Sequence, residues 1–429
     1  MTFQQRLIFF LIVTTVLISL QLLVLSSFKK FFIRKGVSRK KINYGILSLL
    51  SVLNFPHILF LLLRFDVSKF PDILYYTLFV PYFIYQAAMF FLGIILLAVK
   101  LIKSPFSLTL FILKKFNIIK EYIFRLKSKR NVVKFDKSRR TFIASSGIFL
   151  TGYAFIGAGV GVLKKDKYEI TRQTIYMNNL PVKLKGTTIT LISDIHSGPY
   201  MTEDKMNEYV KIINDLNSDL IVIPGDLTNT SKDEIFPFVN SFKNLKAEHG
   251  IYATLGNHDY FSDPEFIAKA VTDGTHFKML RNNSEIININ EENLIIIGTE
   301  DTRDSGANRN DVILEYISSA ENTAVNKAAE MKINYETSPK ILLCHKPYVF
   351  DKMNNLDIDL VLSGHTHGGQ VVFASVGDYS LSFASLVNKY VSGLYFNGNK
   401  QLYISRGIGT VGLPIRVNCP PEITVLTLM

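Results

Sequence analysis

Through the first 163 residues apolar positions come in long runs, and beyond them in short runs of four or five residues closed by glycine, aspartate or histidine. Four of the long runs, residues 7–28, 42–63, 73–99 and 142–163, reach the roughly 20 apolar residues that a helix needs to cross a bilayer. In the second part, residues 189–193, 220–224, 251–255, 341–344 and 360–363 read as buried strands. Helical spacing appears between them. Met206, Tyr209, Val210, Ile213 and Leu216 follow Thr202 as a cap, and Ile235, Phe238, Val239, Phe242 and Leu245 follow a Ser231/Glu234 capping box, with Pro237 disturbing the start. Ser262-Asp263-Pro264 opens a further helix that ends near Gly274. Residues 168–176 are expected as an edge strand, and 293–298, 371–373, 401–405 and 423–428 as further strands. The expected fold class is therefore α/β, a two-sheet β-sandwich flanked by helices over residues 164–429. An all-α transmembrane region of four helices over residues 1–163 precedes it.

Charge divides the chain at the same place. Residues 1–163 carry 23 Lys/Arg against 4 Asp/Glu, and residues 164–429 carry 25 against 32, so the net +12 belongs to the first part alone. Its cations bracket the apolar runs, which is a membrane pattern, and no nucleic-acid partner is expected. Lys29, Lys30, Arg34, Lys35, Arg39, Lys40 and Lys41 follow the first run with no acid among them, and a second basic stretch spans 100–140. The connector 64–72 is balanced, with Arg64 and Lys69 against Asp66 and Asp72. By the positive-inside rule the basic loops are cytoplasmic, and the fourth span carries the chain out. The expectation is a multi-pass cell-membrane protein with its second domain on the external face. Ser138-Arg139-Arg140-Thr141-Phe142-Ile143, just before that span, resembles a twin-arginine export signal. His57, near Pro56 in the second run, is expected to pack against a neighbouring helix. Cys344 and Cys419 are the only cysteines, too few for a disulfide framework, and Cys344 is expected to be an inert buried thiol.

The short runs end on a series of chemical groups: Asp194-Ile195-His196, Gly225-Asp226, Gly256-Asn257-His258-Asp259, His345 and Gly364-His365-Thr366-His367. Side chains on the ends of neighbouring buried strands converge on one rim of a sheet. Asp supplies anionic bridging groups and His neutral donors, a mixture that suits Mn, Fe or Zn better than Ca. Two such ions about 3.5 to 4 Å apart activate water and clamp a phosphoryl group. Gly225, Gly256 and Gly364 are expected to allow sharp turns and close backbone approach. Of the histidines in this part only His249 and His276 fall outside the blocks, and both are read as turn or surface residues.

Five blocks in this order resemble the calcineurin-like metallophosphoesterase superfamily over about residues 188–428. Ser405-Arg406-Gly407-Ile408-Gly409-Thr410, with Leu413-Pro414-Ile415-Arg416, is similar to the C-terminal signature of its membrane-anchored bacterial phosphodiesterase-like branch. The resemblance implies two divalent metal ions. Asp194, His196 and His367 would hold one, Asn257, His345 and His365 the other, and Asp226 would bridge them. His258 would be general acid or transition-state stabiliser, and Asp259 would accept a hydrogen bond from its imidazole. Arg406 and Arg303 are expected to contact the substrate, and Arg416 to be structural. The implied activity is hydrolysis of phosphodiester or pyrophosphate bonds in a phosphoester substrate, lipid-linked or otherwise of the envelope. A UDP-diacylglucosamine-type pyrophosphatase is a narrower alternative, opposed by the expected topology because such substrates are cytoplasmic. A metal-stabilised membrane sensor is another, and it would have no use for His258. Oligomeric state leaves no mark in the sequence.

Overall fold

The computed structural model describes residues 3–63, 71–113 and 130–429, except 179, 303–308, 354 and 378, together with 115, 116, 119, 121 and 125. Two compact units meet in sequence at Val162 and Leu163.

The first unit is helical: α1 (Phe3–Arg34), α2 (Arg39–Leu63), α3 (Val80–Leu113) and α4 (Arg130–Leu163). Helices satisfy their own backbone groups, as a bilayer requires. Among the described residues three helical stretches are long and apolar enough to cross a membrane, Phe10–Arg34, Tyr75–Leu113 and Ser145–Leu163. They coincide with the first, third and fourth expected spans. The second expected span falls on α2, but most side chains at its C-terminal end lie outside the described residues, as do the connector 64–70 and the side chains of Arg139 and Arg140. Polar groups inside the bundle satisfy one another. Gln21 Nε2 donates to Gln86 Oε1 at 2.9 Å and Asn54 Nδ2 to Gln21 Oε1 at 2.9 Å, while Gln86 Nε2 donates to Asn54 Oδ1 at 2.8 Å. Such interhelical amide bonds hold apolar helices in one register. His57 packs as expected, stacked on Phe10 with its ring nitrogens against the hydroxyls of Thr14 and Tyr82.

In the second unit one sheet holds β1 (Glu169–Ile175), β2 (Thr188–Leu191), β3 (Leu220–Pro224), β4 (Ile251–Thr254) and β5 (Lys278–Met279). The other holds β6 (Asn283–Ile289), β7 (Glu292–Gly298), β8 (Lys340–Leu343) and β9 (Leu360–Ser363). A two-stranded hairpin, β10 (Val372–Val376) and β11 (Tyr379–Ser382), follows. Then β12 (Gly393–Asn397) and β13 (Lys400–Ile404) join the second sheet, and β14 (Glu422–Leu428) returns to the first. The sheet orders are β1-β14-β2-β3-β4-β5 and β12-β13-β9-β8-β7-β6. The strand expected at 168–176 is β1, at the edge of its sheet.

Alternation of side chains makes three apolar layers from two sheets. Leu191, Leu220 and Val222 of the first sheet meet Leu294, Ile296, Ile341 and Leu360 of the second in the central core. Ile295 and Ile297 point the other way, against Ile313, Ile317 and Ala320 of α9 (Arg309–Glu330). Ile221 and Ile223 pack outward against α5 (Glu203–Asp215), α6 (Ile235–Phe242) and α8 (Pro264–Gly274). The short α7 (Asn257–Ser262) opens directly from the turn after β4. Asp263 caps α8 by accepting from the Phe266 N–H, with Pro264 in the first turn, as expected. Thr202 stands at the N-cap of α5 without a capping bond from its side chain.

Strands β2, β3 and β4 are parallel, and so are β7, β8, β9 and β13. Their C-terminal ends open onto the loops that carry every block of the chemical series.

Candidate metal centre

Each candidate ligand sits within a few residues of a strand end, and the turns are tied across strands. Asp194 N–H donates to Gly225 O, His196 N–H to Asp226 O, and Gly364 N–H to His345 O. Gly225 has φ +94°, and a Cβ there would lie 2.6 Å from the Gly256 nitrogen. At Gly364 a Cβ would stand 2.0 Å from Ser193 Oγ and 2.2 Å from Asp194 Oδ2, so any side chain would displace a candidate ligand. Glycine therefore permits the β3 and β4 turns to touch within the first sheet at Gly225, and the two sheets to close on each other at Gly364.

Three overlapping groups of side chains result: Asp194 with His196 and His367, His196 with Asp226 and His258, and Asp226 with His345 and His365. The Nε2 atoms of His196 and His367 face each other at 3.0 Å, and His367 Nε2 is 3.6 Å from Asp194 Oδ1. Asp226 Oδ2 lies 3.5 Å from His196 Nε2 and 3.2 Å from His345 Nε2. Its other oxygen accepts the His258 N–H at 2.8 Å. Asp194 accepts the His365 N–H at 2.8 Å. The set also contains an orphan: Asn257 Oδ1 is buried with no hydrogen-bond partner among the described residues. An unsatisfied buried acceptor costs about 1–3 kcal/mol. An oxygen donor left bare in this way, beside imidazole nitrogens, fits a divalent cation.

Electrostatics agree with that fit at three of the four imidazoles of the set. Burial pushes His196 down to about 3 and holds His365 and His367 well below the usual imidazole range, so all three are neutral donors. Burial pushes Asp194 up to about 6. For Asp226 burial acts upward too, but the imidazoles of His345, His258 and His196 outweigh it and keep the carboxylate ionised. For His345 burial acts downward, and Asp226 reverses it to about 10. His345 Nδ1–H donates to Pro224 O at 2.8 Å, which turns Nε2 toward Asp226.

His258 is close to this set, its ring 4.6 Å from that of His196. Its expected hydrogen bond to Asp259 is not formed. His258 Nδ1–H donates instead to Asn229 O at 2.5 Å. The Asp259 carboxylate is spent on the N–H groups of Leu227, Thr228 and Gly256 and on the Thr228 hydroxyl. It ties the β3 turn to the β4 turn. Asn229 has no side-chain signature for this role, because the acceptor is its backbone carbonyl.

Of the two expected substrate contacts, Arg303 lies outside the described residues. Arg406 corrects its expectation: its guanidinium is paired with Glu169 at 3.1 Å and Glu422 at 3.4 Å, which binds β1 to the tail rather than leaving a cation for phosphate. Arg416 is structural as expected, buried and donating to the carbonyls of Arg406, Gly407, Gly409 and Cys419. Cys344 is buried with its thiol pushed up to about 12, an inert group as expected. A cation beside this cluster that the sequence did not single out is Arg309, the first residue of α9. It lies 4.9 Å over the Tyr348 ring, and that ring is 5.4 Å edge-on from His365. Among the described residues Arg309 Nε has no hydrogen-bond partner.

A family model described as calcineurin-like phosphoesterase matches residues 187–369, the stretch from β2 to the turn after His367. The chain is 30% identical over 297 residues to an uncharacterized metallophosphoesterase of Helicobacter pylori, covering 68% of this chain and 72% of that protein. It is 28% identical over 300 residues to the uncharacterized metallophosphoesterase YkuE of Bacillus subtilis, covering 68% and 97%. A transmembrane protein with metallophosphoesterase domain from Danio rerio is 27% identical over 332 residues, covering 74% and 69%. Together with the converging Asp and His side chains and the apolar helices before them, these matches make the chain a membrane protein with a metal-dependent phosphoesterase domain, and it belongs to the calcineurin-like phosphoesterase family.

Proposed function

We propose that residues 164–429 hydrolyse phosphodiester or pyrophosphate bonds of a lipid-linked or other envelope substrate, on the external face of the membrane that residues 1–163 span four times. The observation that carries the reading is the place of Asp226, whose Oδ2 is within 3.5 Å of His196 on one side and 3.2 Å of His345 on the other. One carboxylate thus serves both ligand groups. In this reading Asp194, His196 and His367 hold one ion, Asn257, His345 and His365 the other, and Asp226 is shared. Two divalent ions in such a site lower the pKa of water and neutralise phosphoryl charge.

The chain's own groups then divide the remaining work. His258 has Nδ1–H committed to Asn229 O, so Nε2 is the atom that holds or delivers a proton at the leaving oxygen. Arg309 offers a positive charge on the His365 side for an anionic group of the substrate that is not transferred. The excess of Lys and Arg in the loops before 142 supports the external placement.

Turnover of bis(p-nitrophenyl) phosphate by the full chain in detergent with Mn tests the reading. His258→Ala should lower the rate by about 10²–10⁴-fold while the metal content stays that of the wild type. A chain that binds metal and cuts no ester with any divalent ion would support the sensor instead.

A further inference from the structure

The hairpin β10–β11 and α10 (Phe383–Val387) leave the catalytic rim immediately after His367. This segment is unusual for its exposed apolar side chains: Phe373, Leu381, Phe383, Leu386 at 66% and Val387 at 81%. Single exposed apolar residues are ordinary, but five within fifteen positions make a patch, and patches mark interaction surfaces. From 371 to 388 the sequence holds one charged residue, Asp378, and four serines, in a chain that is 20% charged.

The segment is a built element. Phe373 and Phe383 meet edge to face at 5.2 Å across the hairpin. Ser382 caps α10 by accepting from the Ser385 N–H at 3.1 Å. Its foot rests on the metal turn: a Cβ on Gly369, two residues past His367, would lie 2.3 Å from Ser382 Oγ and 3.6 Å from Ala384 Cβ. On the His258 side of the rim Phe261 is exposed as well, its ring 5.5 Å from the imidazole.

We propose that this segment is an apolar lip that enters the headgroup and upper acyl region of the bilayer, so that the adjoining site acts on phosphoesters of membrane lipids. The inference rests on reading the rim as the catalytic face. The occupant follows from the chain itself: a helix long and apolar enough to cross a membrane ends at Leu163, and the domain's first strand begins at Glu169. A bilayer is therefore always at hand. Aromatic and aliphatic side chains mixed with serine hydroxyls and almost without charge suit the interfacial zone, whatever the charge of the lipids.

The test needs no turnover, so it can fail while the phosphoesterase reading stands. Leu386→Cys and, separately, Val387→Cys are labelled with an environment-sensitive fluorophore in the full chain, the native cysteines being buried. The protein is placed in nanodiscs of phosphatidylethanolamine and phosphatidylglycerol. Emission at both positions should shift to shorter wavelength and be lost when nitroxide-bearing lipid is added, while the exposed control Met331→Cys should keep its emission. A solvent-like spectrum without quenching at 386 and 387 would overturn the proposal. Equal quenching at 331, or a shift that appears only with two chains per disc, would overturn it as well.

Discussion

Asp194, His196, Asp226, His365 and His367 all leave the backbone at positive φ, between 49° and 74°. Each such residue costs on the order of 1–3 kcal/mol unless its surroundings hold it there. Here Gly225 O, Asp226 O and the Gly409 N–H hold Asp194 and His196 through backbone hydrogen bonds. Strain at the candidate ligands and order at the strand ends are thus one arrangement. Arg309→Gln should raise KM for a phosphodiester roughly tenfold, the loss of a charge-assisted hydrogen bond of about 1.5 kcal/mol, with kcat and metal content little changed. Unchanged KM would remove Arg309 from the site. The Asp and His residues that gather at the rim were legible because, at successive strand ends, they form an ordered pattern. Arg309 was not, since a lone arginine at a helix start carries no such pattern, and its meaning comes from Tyr348 and His365 in space. Arg406 was misread because its partners, Glu169 and Glu422, are distant in sequence or on another strand.

At the scale of elements, the capping box read at Ser231 and Glu234 has a second consequence. The Glu234 carboxylate accepts the N–H groups of Asn229, Thr230 and Ser231 at 3.0, 2.7 and 2.9 Å. It therefore fixes the loop whose Asn229 carbonyl orients His258. Glu234→Ala should cost about 1–2 kcal/mol of stability, as loss of a cap does. It should also lower kcat on a phosphodiester by roughly tenfold or more at unchanged metal content, since His258 then loses its orientation. Glu234→Gln keeps an acceptor and should recover most of the rate. If Glu234→Ala turns over like the wild type, the loop does not position His258. The strands themselves were legible as apolar runs, because burial on both faces leaves no polar alternation to confuse. The hydrogen bonding of Asp259 was not, because three of its four donors are backbone N–H groups that only the folded turns bring together.

Over the whole molecule, composition marks two parts with opposite charge, and the structure has two compact units that meet in sequence near the same point. Apolar length picked out three helices long enough to cross a membrane among the described residues, and the two-sheet sandwich followed from strands alternating with helices. The pairing of β14 between β1 and β2 did not, since nothing local tells a final strand to return to the first sheet. The charge asymmetry gives the orientation its test: reporter fusions after residues 41 and 170 should report opposite sides of the membrane. Reporters on the same side would refute the external placement and reopen cytoplasmic substrates. Hydrolysis as proposed depends on ligands from both sheets sharing Asp226 between two ions. Metal stoichiometry of the purified full chain after Mn loading, compared with Asp226→Asn, measures that directly. The prediction is about two ions per chain for the wild type and no more than about one for the variant. Equal stoichiometry in the two proteins would contradict it.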